Sequence, residues 1–361
     1  MKGIFTLFFL LTCFYGFSQT AAPSGWYKML AGNIDRFPVT LHLHKAGNHY
    51  LGFYYYNARQ QPIYFFGQSL AGTDNIRLAS FTGGRPTEEF TISLTSSGAA
   101  GFWKKTGDSL SSSFLAVEMK APVGCTYVYT TGSVKPDQQD VPGALFEAAS
   151  VWPLGNGPME NFMKEVIRQS FCSGSDKQEE IGEWFLKEKR SFLAGYLDEY
   201  NKGTRPGPSV AGAPYNMTVS DRLVFVYQSP RLVTLARINY SYVGGAHSNY
   251  GTTYAVVDLM RKKTLALTDI LSRFGCEKLE GLLEKSFRER YRLNPQDSLT
   301  AGGLFSNHLK PTDNFFVTAK GIGFNYIPYQ IAPYALGEIT LFIPFKELED
   351  YLLPAFKGLL Q

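Results

Sequence analysis

From Phe37 to about Met119 apolar and polar residues alternate with period two, in short runs separated by Gly, Asn, Asp or Ser clusters. That is the pattern of half-buried strands. In the first run Val39, Leu41 and Leu43 fall on one face and Thr40, His42 and His44 on the other. Further runs cover Tyr50–Tyr56, Ile63–Gln68, Ile76–Ser80, Phe90–Leu94, Ala99–Lys104 and Ser111–Val117, with turns such as Gly47-Asn48 and Gly107-Asp108 between them. The unit 19–120 is therefore expected to be an all-β, up-and-down antiparallel meander of seven or eight strands, curled into a small barrel or sandwich. Closure would remove the exposed edges that such a sheet otherwise carries.

Residues 121–144 hold Pro122, Pro136, Pro142 and the polar run Asp137 to Asp140 without an apolar period, and read as a linker. Beyond it the period changes. Met159, Phe162, Met163, Val166, Ile167 and Phe171 recur at helical spacing behind Pro158, and a second helix is expected from about Lys177 to Asn201 with Gly203 as its stop. A Gly-, Pro- and Ala-rich loop, 203–214, precedes strands at Tyr215–Ser220, Leu223–Gln228, Leu232–Tyr242 and Thr253–Asp258. Helix Glu277–Tyr291, strands Asn314–Thr318, Ile322–Tyr326 and Glu338–Pro344, and a closing helix Phe345–Leu353 complete the chain. Helices and strands come in blocks, so 145–361 is expected to be α+β with a mainly antiparallel sheet, folding separately from the meander.

Lys2 followed by the apolar run Ile4 to Leu11 reads as a signal peptide, 1–18, with Gly16 and Ser18 at −3 and −1 of a cut before Gln19. A lipoprotein reading through Cys13 is disfavoured by Thr12 before it and by the shortened apolar run. No later segment is long and apolar enough to span a bilayer, so the mature chain is expected to be secreted or periplasmic, without a transmembrane segment. Of 361 residues 44% are apolar and 18% charged, which excludes general disorder, and a net charge of +4 is too small to argue for nucleic acid. Cys125, Cys172 and Cys276 have no CxxC spacing, so one disulfide at most is expected, or three thiols acting as small hydrophobes.

Nucleophile and nucleotide motifs are missing: there is no G-x-S-x-G, S-x-x-K, H-E-x-x-H, Walker or dinucleotide glycine pattern. His42, His44 and His49 could ligate a metal, but no Cys or carboxylate sits at ligand spacing, and they are read as polar residues on a solvent or barrel face. No metal or cofactor is expected. His247 follows Gly244-Gly245, two glycines that a tight turn between strands requires, and its imidazole either bonds the turn's backbone or faces a ligand. In Tyr326 to Tyr334, Pro328 and Pro333 exclude a central strand and predict an ordered loop. Tyr329 and Tyr334 on it are either interface rings or inward anchors.

Several stretches taken jointly carry a family resemblance: Tyr242 to His247, Val257 to Leu259, Leu265 to Leu271, Asn314 to Thr318, Gly321 to Phe324, Pro328 to Gly337 and Ile343 to Phe345. Over about Ser150 to Leu353 the chain resembles the bacterial extracytoplasmic family called domain of unknown function 3298, with its N-terminal partner of number 4163. Members look like the lysozyme-sensing extracellular part of the anti-sigma-V factor and the non-catalytic N-terminal part of a peptidoglycan deacetylase. Neither a sigma-binding segment nor a deacetylase domain is expected here. The resemblance thus implies a non-catalytic module for an envelope or extracellular protein, a lysozyme-type muramidase among them, or for a cell-wall glycan. Its binding surface is expected at Gly244, Gly245, His247, Tyr329, Pro333 and Tyr334. The alternatives are an envelope glycan-processing enzyme, which needs only two carboxylates, and an apolar-ligand carrier using the N-terminal barrel.

Overall fold

The computed structural model describes residues 25–82, 85–136, 142–172, 179–203 and 217–361. The predicted signal peptide and its cut at Gln19 lie outside the described residues, as does most of the loop 203–214. Eight strands close an antiparallel up-and-down barrel: β1 (Gly25–Ile34), β2 (Phe37–Ala46), β3 (His49–Tyr56), β4 (Ile63–Ser69), β5 (Asn75–Thr82), β6 (Arg85–Thr95), β7 (Gly98–Lys105) and β8 (Ser112–Met119). β1 pairs with both β2 and β8, which closes the ring. Alternation places Leu41 and Leu43 inside with Leu30, Tyr54, Phe65, Phe90 and Phe114. Edge-to-face packing of Phe90 on Tyr54 and Phe114, with centroids 5.1 and 5.3 Å apart, fills the lumen. A carrier that used this lumen would have to displace those rings.

A six-stranded sheet follows, in the order β14-β13-β12-β11-β10-β9. Its strands are β9 (Cys125–Val134), β10 (Ala144–Pro153), β11 (Met217–Gln228), β12 (Leu232–Tyr242), β13 (Asn249–Asp258) and β14 (Lys263–Thr264). All pairs are antiparallel except β10 with β11, whose parallel pairing is crossed by α1 (Pro158–Phe171) and α2 (Ile181–Asn201). The stretch 121–144, expected as a linker, thus carries the edge strand β9, paired along its length with β10. Its Thr- and Tyr-rich sequence shows no clean alternation because β9 is half-buried on both faces. After the sheet come α3 (Leu267–Ile270), α4 (Arg273–Tyr291) and an antiparallel three-stranded sheet of β15 (Phe315–Thr318), β16 (Gly321–Tyr326) and β17 (Ile339–Pro344). The closing helix is instead two 3-10 turns, Phe345–Glu347 and Glu349–Tyr351, ahead of α5 (Pro354–Lys357). Pro354 cannot continue a helix from the turn before it but is preorganised to start one. No described helix is long and apolar enough to cross a membrane.

The central sheet is buried on both faces. Phe146, Leu223, Phe225, Val233 and Leu235 pack against Met163 and Ile167 of α1 and Phe185 of α2. On the other face Ala149, Val224, Val226 and Ala236 meet Ala46, Leu51 and Phe53 on the outside of the barrel. Leu232 and Val256 instead join Leu279, Leu283 and Phe287 of α4 and Phe324 and Leu341 of the small sheet. Cys125 and Cys276 stand as free thiols, and burial pushes the Cys125 thiol up to about 12.

Several polar groups in the barrel–sheet contact find partners across it, while His44 Nδ1, Tyr127 Oη and Arg222 Nε are buried there without one among the described residues. The β10–β11 pairing ends at Ser150–Leu223, and a bulge between Phe225 and Tyr227 breaks the β11–β12 register. The N–H of Phe225 donates to His44 Nε2 of the barrel at 3.2 Å. A hydrogen-bond chain runs alongside: Val123 N–H to Gln228 Oε1 (3.1 Å), Gln228 Nε2 to Tyr27 Oη (2.9 Å), and Tyr27 Oη to His42 Nδ1 (2.8 Å). His42 Nε2 lies 3.5 Å from Tyr55 Oη. Both imidazoles are fully buried, so of the two readings of His42 and His44 the solvent face is corrected: they lie on the barrel's outer face, and that face of β2 is a docking face. Glu147 and Arg222, also buried there, pair at 2.6 Å beside the ring of Phe66.

Burial lowers His42 to about 3 and puts His44 well below its ordinary value. A depressed folded value means that the unfolded chain binds more protons once the pH falls below about 6.5, so stability present at pH 8 is lost on acidification. At pH 5, His42 alone is expected to cost about 2 kcal/mol relative to pH 8, with His44 adding to it. Urea unfolding at pH 8, 6.5 and 5 checks this, with His42→Gln expected to flatten the slope. Equal slopes in both proteins would contradict it.

Candidate functional site

The two loops singled out in the sequence meet in the fold. Gly244 and Gly245 take φ of +101° and +99°, which a residue with a Cβ adopts only under strain, and they turn the chain between β12 and β13. Tyr242 Oη donates to Gly245 O at 3.2 Å. His247 Nδ1 donates to Ser248 O at 3.0 Å, which leaves Nε2 to accept from Tyr329 Oη at 3.3 Å. The imidazole therefore holds its own turn and also reaches across to the other loop.

That loop runs from Ile327 to Glu338, between β16 and β17. Gln330 N–H donates to Ile327 O (3.1 Å) and Tyr329 N–H to Ala332 O (3.2 Å), a tight turn that places Tyr329 at φ +69°. Phe305 N–H donates to Ile331 O at 2.9 Å and ties the loop to the chain before β15. Pro333 is exposed and leads into the 3-10 turn Tyr334–Leu336. The Tyr334 ring stacks on His247 with centroids 4.1 Å apart and planes 24° apart, and sits 5.7 Å from the Tyr329 ring. Tyr329 is 56% exposed and Tyr334 half-buried, so they are not inward anchors. The inward ring is Tyr326, 1% exposed, whose Oη donates to Lys310 O at 2.7 Å.

Three residues that sequence reading passed over support this surface. Ser248 Oγ lies 3.1 Å from Tyr334 Oη, and the Tyr250 ring meets Tyr334 edge-on at 5.6 Å. Beneath them Glu338 is held by Asn325 Nδ2 at 3.4 Å, and burial raises its carboxyl above the usual carboxylate range. Burial likewise raises the Tyr250 hydroxyl, with Tyr334 and Glu338 adding to the effect. Starting β13 at Asn249 rather than Thr253 is what reveals Tyr250, directly opposite Tyr240 of β12. Tyr240, Val243 and Ile327 add exposed apolar area around the rings.

Two further groupings lie elsewhere. Glu280 and Glu284, one turn apart on α4 and half-buried, bring ligand atoms within 4.8 Å of each other and of the exposed His308, a grouping a divalent ion could use. A cleft of about 960 Å³ lies between the β3–β4 connection, α4 and the end of β17. His42 and His44 engage ring nitrogens in the buried barrel–sheet contact, with Tyr27 Oη and the Phe225 N–H.

Truncation separates surface from core here. Tyr329→Ala is expected to change stability by no more than about 0.5 kcal/mol. Tyr326→Ala removes a fully packed ring and is expected to cost roughly 3 to 5 kcal/mol. Chemical denaturation of both variants checks the assignment, and comparable losses in the two would reverse it.

Residues 269–346 match the model of a family described as "Protein of unknown function (DUF3298)". The chain is similar to the crystal structure of a DUF3298 family member from Bacteroides fragilis NCTC 9343, at 20% identity and a TM-score of 0.52, over 67% of this chain and 99% of that one. It is also similar to that of a DUF3298 family protein from Pseudomonas aeruginosa PAO1, at 20% identity and a TM-score of 0.44, over 65% of this chain and 96% of that one. No curated protein matches the chain. The family match is narrower than the stretch 150–353 over which the resemblance was read; it contains the Tyr329–Tyr334 loop and begins after the Gly244–His247 turn.

Proposed function

We propose that this chain is a secreted or periplasmic, non-catalytic binding protein that recognises a protein or cell-wall ligand through His247, Tyr329 and Tyr334. Gly244, Gly245 and Pro333 set the backbone that presents those rings. The observation that carries the reading is the meeting of two loops 82 residues apart in one exposed aromatic surface, joined by the His247–Tyr329 hydrogen bond and the His247–Tyr334 stack. Large rings already held in place lose little conformational entropy on binding, and recognition residues concentrate on loops carried by a rigid scaffold. Both loops leave the ends of paired strands, which supplies that scaffold. The resemblance to a lysozyme-sensing extracellular part makes a lysozyme-type muramidase the first protein to try, with soluble peptidoglycan fragments as the glycan counterpart. Export rests on the signal peptide, and mature protein beginning at or near Gln19 is the expected intact-mass result.

Calorimetry of the mature chain against hen lysozyme and against peptidoglycan fragments tests the surface. Tyr329→Ala and His247→Ala are expected to weaken whichever ligand binds by roughly 1 to 4 kcal/mol, with the circular dichroism spectrum retained. Binding that both variants leave unchanged, or no binding to either ligand, would count against the proposal.

A further inference from the structure

The cleft of about 960 Å³ shares no residue with the His247 surface and is built by both units of the fold. One wall is the barrel's β3–β4 connection, with Ala58, Arg59 and Gln61; the other is α4, with Lys285, Glu289 and Arg290. The first wall is held in place: Ala319 N–H donates to Gln60 Oε1 at 2.9 Å, and Lys320 Nζ donates to Ala58 O at 3.2 Å. On the α4 side Arg290 Nη1 donates to Thr340 O at 2.9 Å. The space is thus preformed, at a junction between packed units, and near the upper end of the roughly 300 to 1,000 Å³ usual for small-molecule sites.

Its charge is unbalanced. Arg59, Lys285, Arg290, Lys320, Lys346 and Lys357 line it against Glu289, Glu347 and Glu349. Glu347 is already taken by Lys285 at 2.9 Å. Arg59, Lys346 and Lys357 make no ion pair among the described residues, and all three are exposed. Between the cations the lining is apolar, with Leu282 and Phe342 half-buried and Pro344 exposed. The Phe342 ring lies against Gly321, where a Cβ would come within 2.2 Å of Cζ, so the small residue sets where that ring can sit. Unpaired cations around an apolar patch complement a molecule with an acid group on an apolar body. We infer that this cleft binds an amphiphilic organic anion. Its apolar part lies on Leu282, Phe342 and Pro344, and its carboxylate or phosphate lies among Arg59, Lys346 and Lys357.

Calorimetry on the intact chain tests this with decanoate and decyl phosphate below their micelle concentrations, and with decanol and inorganic phosphate as controls. Saturable binding of either anion at one site per chain is expected, and the tighter of the two identifies the head group. The triple variant Arg59→Glu, Lys346→Glu, Lys357→Glu should weaken that binding at least about tenfold, or Lys346→Glu alone should weaken it measurably if the triple variant does not fold. The inference is overturned if neither anion binds or if the variants bind as the parent does. It is equally overturned if decanol matches the anions, which marks an apolar groove only, or if inorganic phosphate matches decyl phosphate, which marks an adventitious ion only.

Discussion

The architecture turns on one buried contact, the N–H of Phe225 on the ring of His44. At that point the central sheet has lost the neighbour β10 and bulges away from regular pairing with β12, and a backbone donor left unpaired in a dry layer would cost roughly 1 to 3 kcal/mol. The barrel supplies the acceptor. Around that contact the outer face of β2 and β3 covers Val224, Val226 and Ala236, which would otherwise face water opposite the helices. Covering the sheet on both sides gives three layers, and it brings the β3–β4 connection against α4 and β17, where the charged cleft forms.

The same contact explains what the sequence could not disclose. His42 and His44 alternate with Leu41 and Leu43, and imidazoles at alternate positions on a strand look like a wet face. The alternation was correct, but nothing local states that a second sheet covers the outer side. The barrel itself was legible because its lumen demands strict alternation. β1 escaped notice because its outward Tyr27, Met29 and Ala31 are as apolar as its inward Leu30 and Ile34, which erases the period. β11 looked like two strands because Asp221 and Arg222 interrupt an apolar run; in the fold they pair with Arg237 and Glu147 on the flanking strands, and the strand continues through them.

At the candidate site the loops could be read and their meeting could not. Paired glycines and paired prolines announce turns through backbone chemistry that is local. The approach of residue 247 to residue 329 depends on the small sheet lying against β12 and β13. That is sealed by Thr234 Oγ1 donating to Val317 O at 2.6 Å and by Asn314, whose Nδ2 donates to Thr252 O at 2.8 Å and to Asn325 O at 3.0 Å. Those are tertiary facts carried by residues with no distinctive spacing. The cleft is less legible still, since its walls come from segments more than 200 residues apart.

If docking at Phe225 is integral to the fold, the barrel and the central sheet form one cooperative unit. Native-state hydrogen exchange measures this directly through the amides of Leu41 and Leu43 inside the barrel and of Val233 and Leu235 in the sheet. The account predicts that all four exchange through a single opening with the same free energy and the same dependence on denaturant. Barrel amides that open at a distinctly lower free energy while the sheet amides stay protected would contradict it, and would mean that the barrel folds beside the sheet rather than with it.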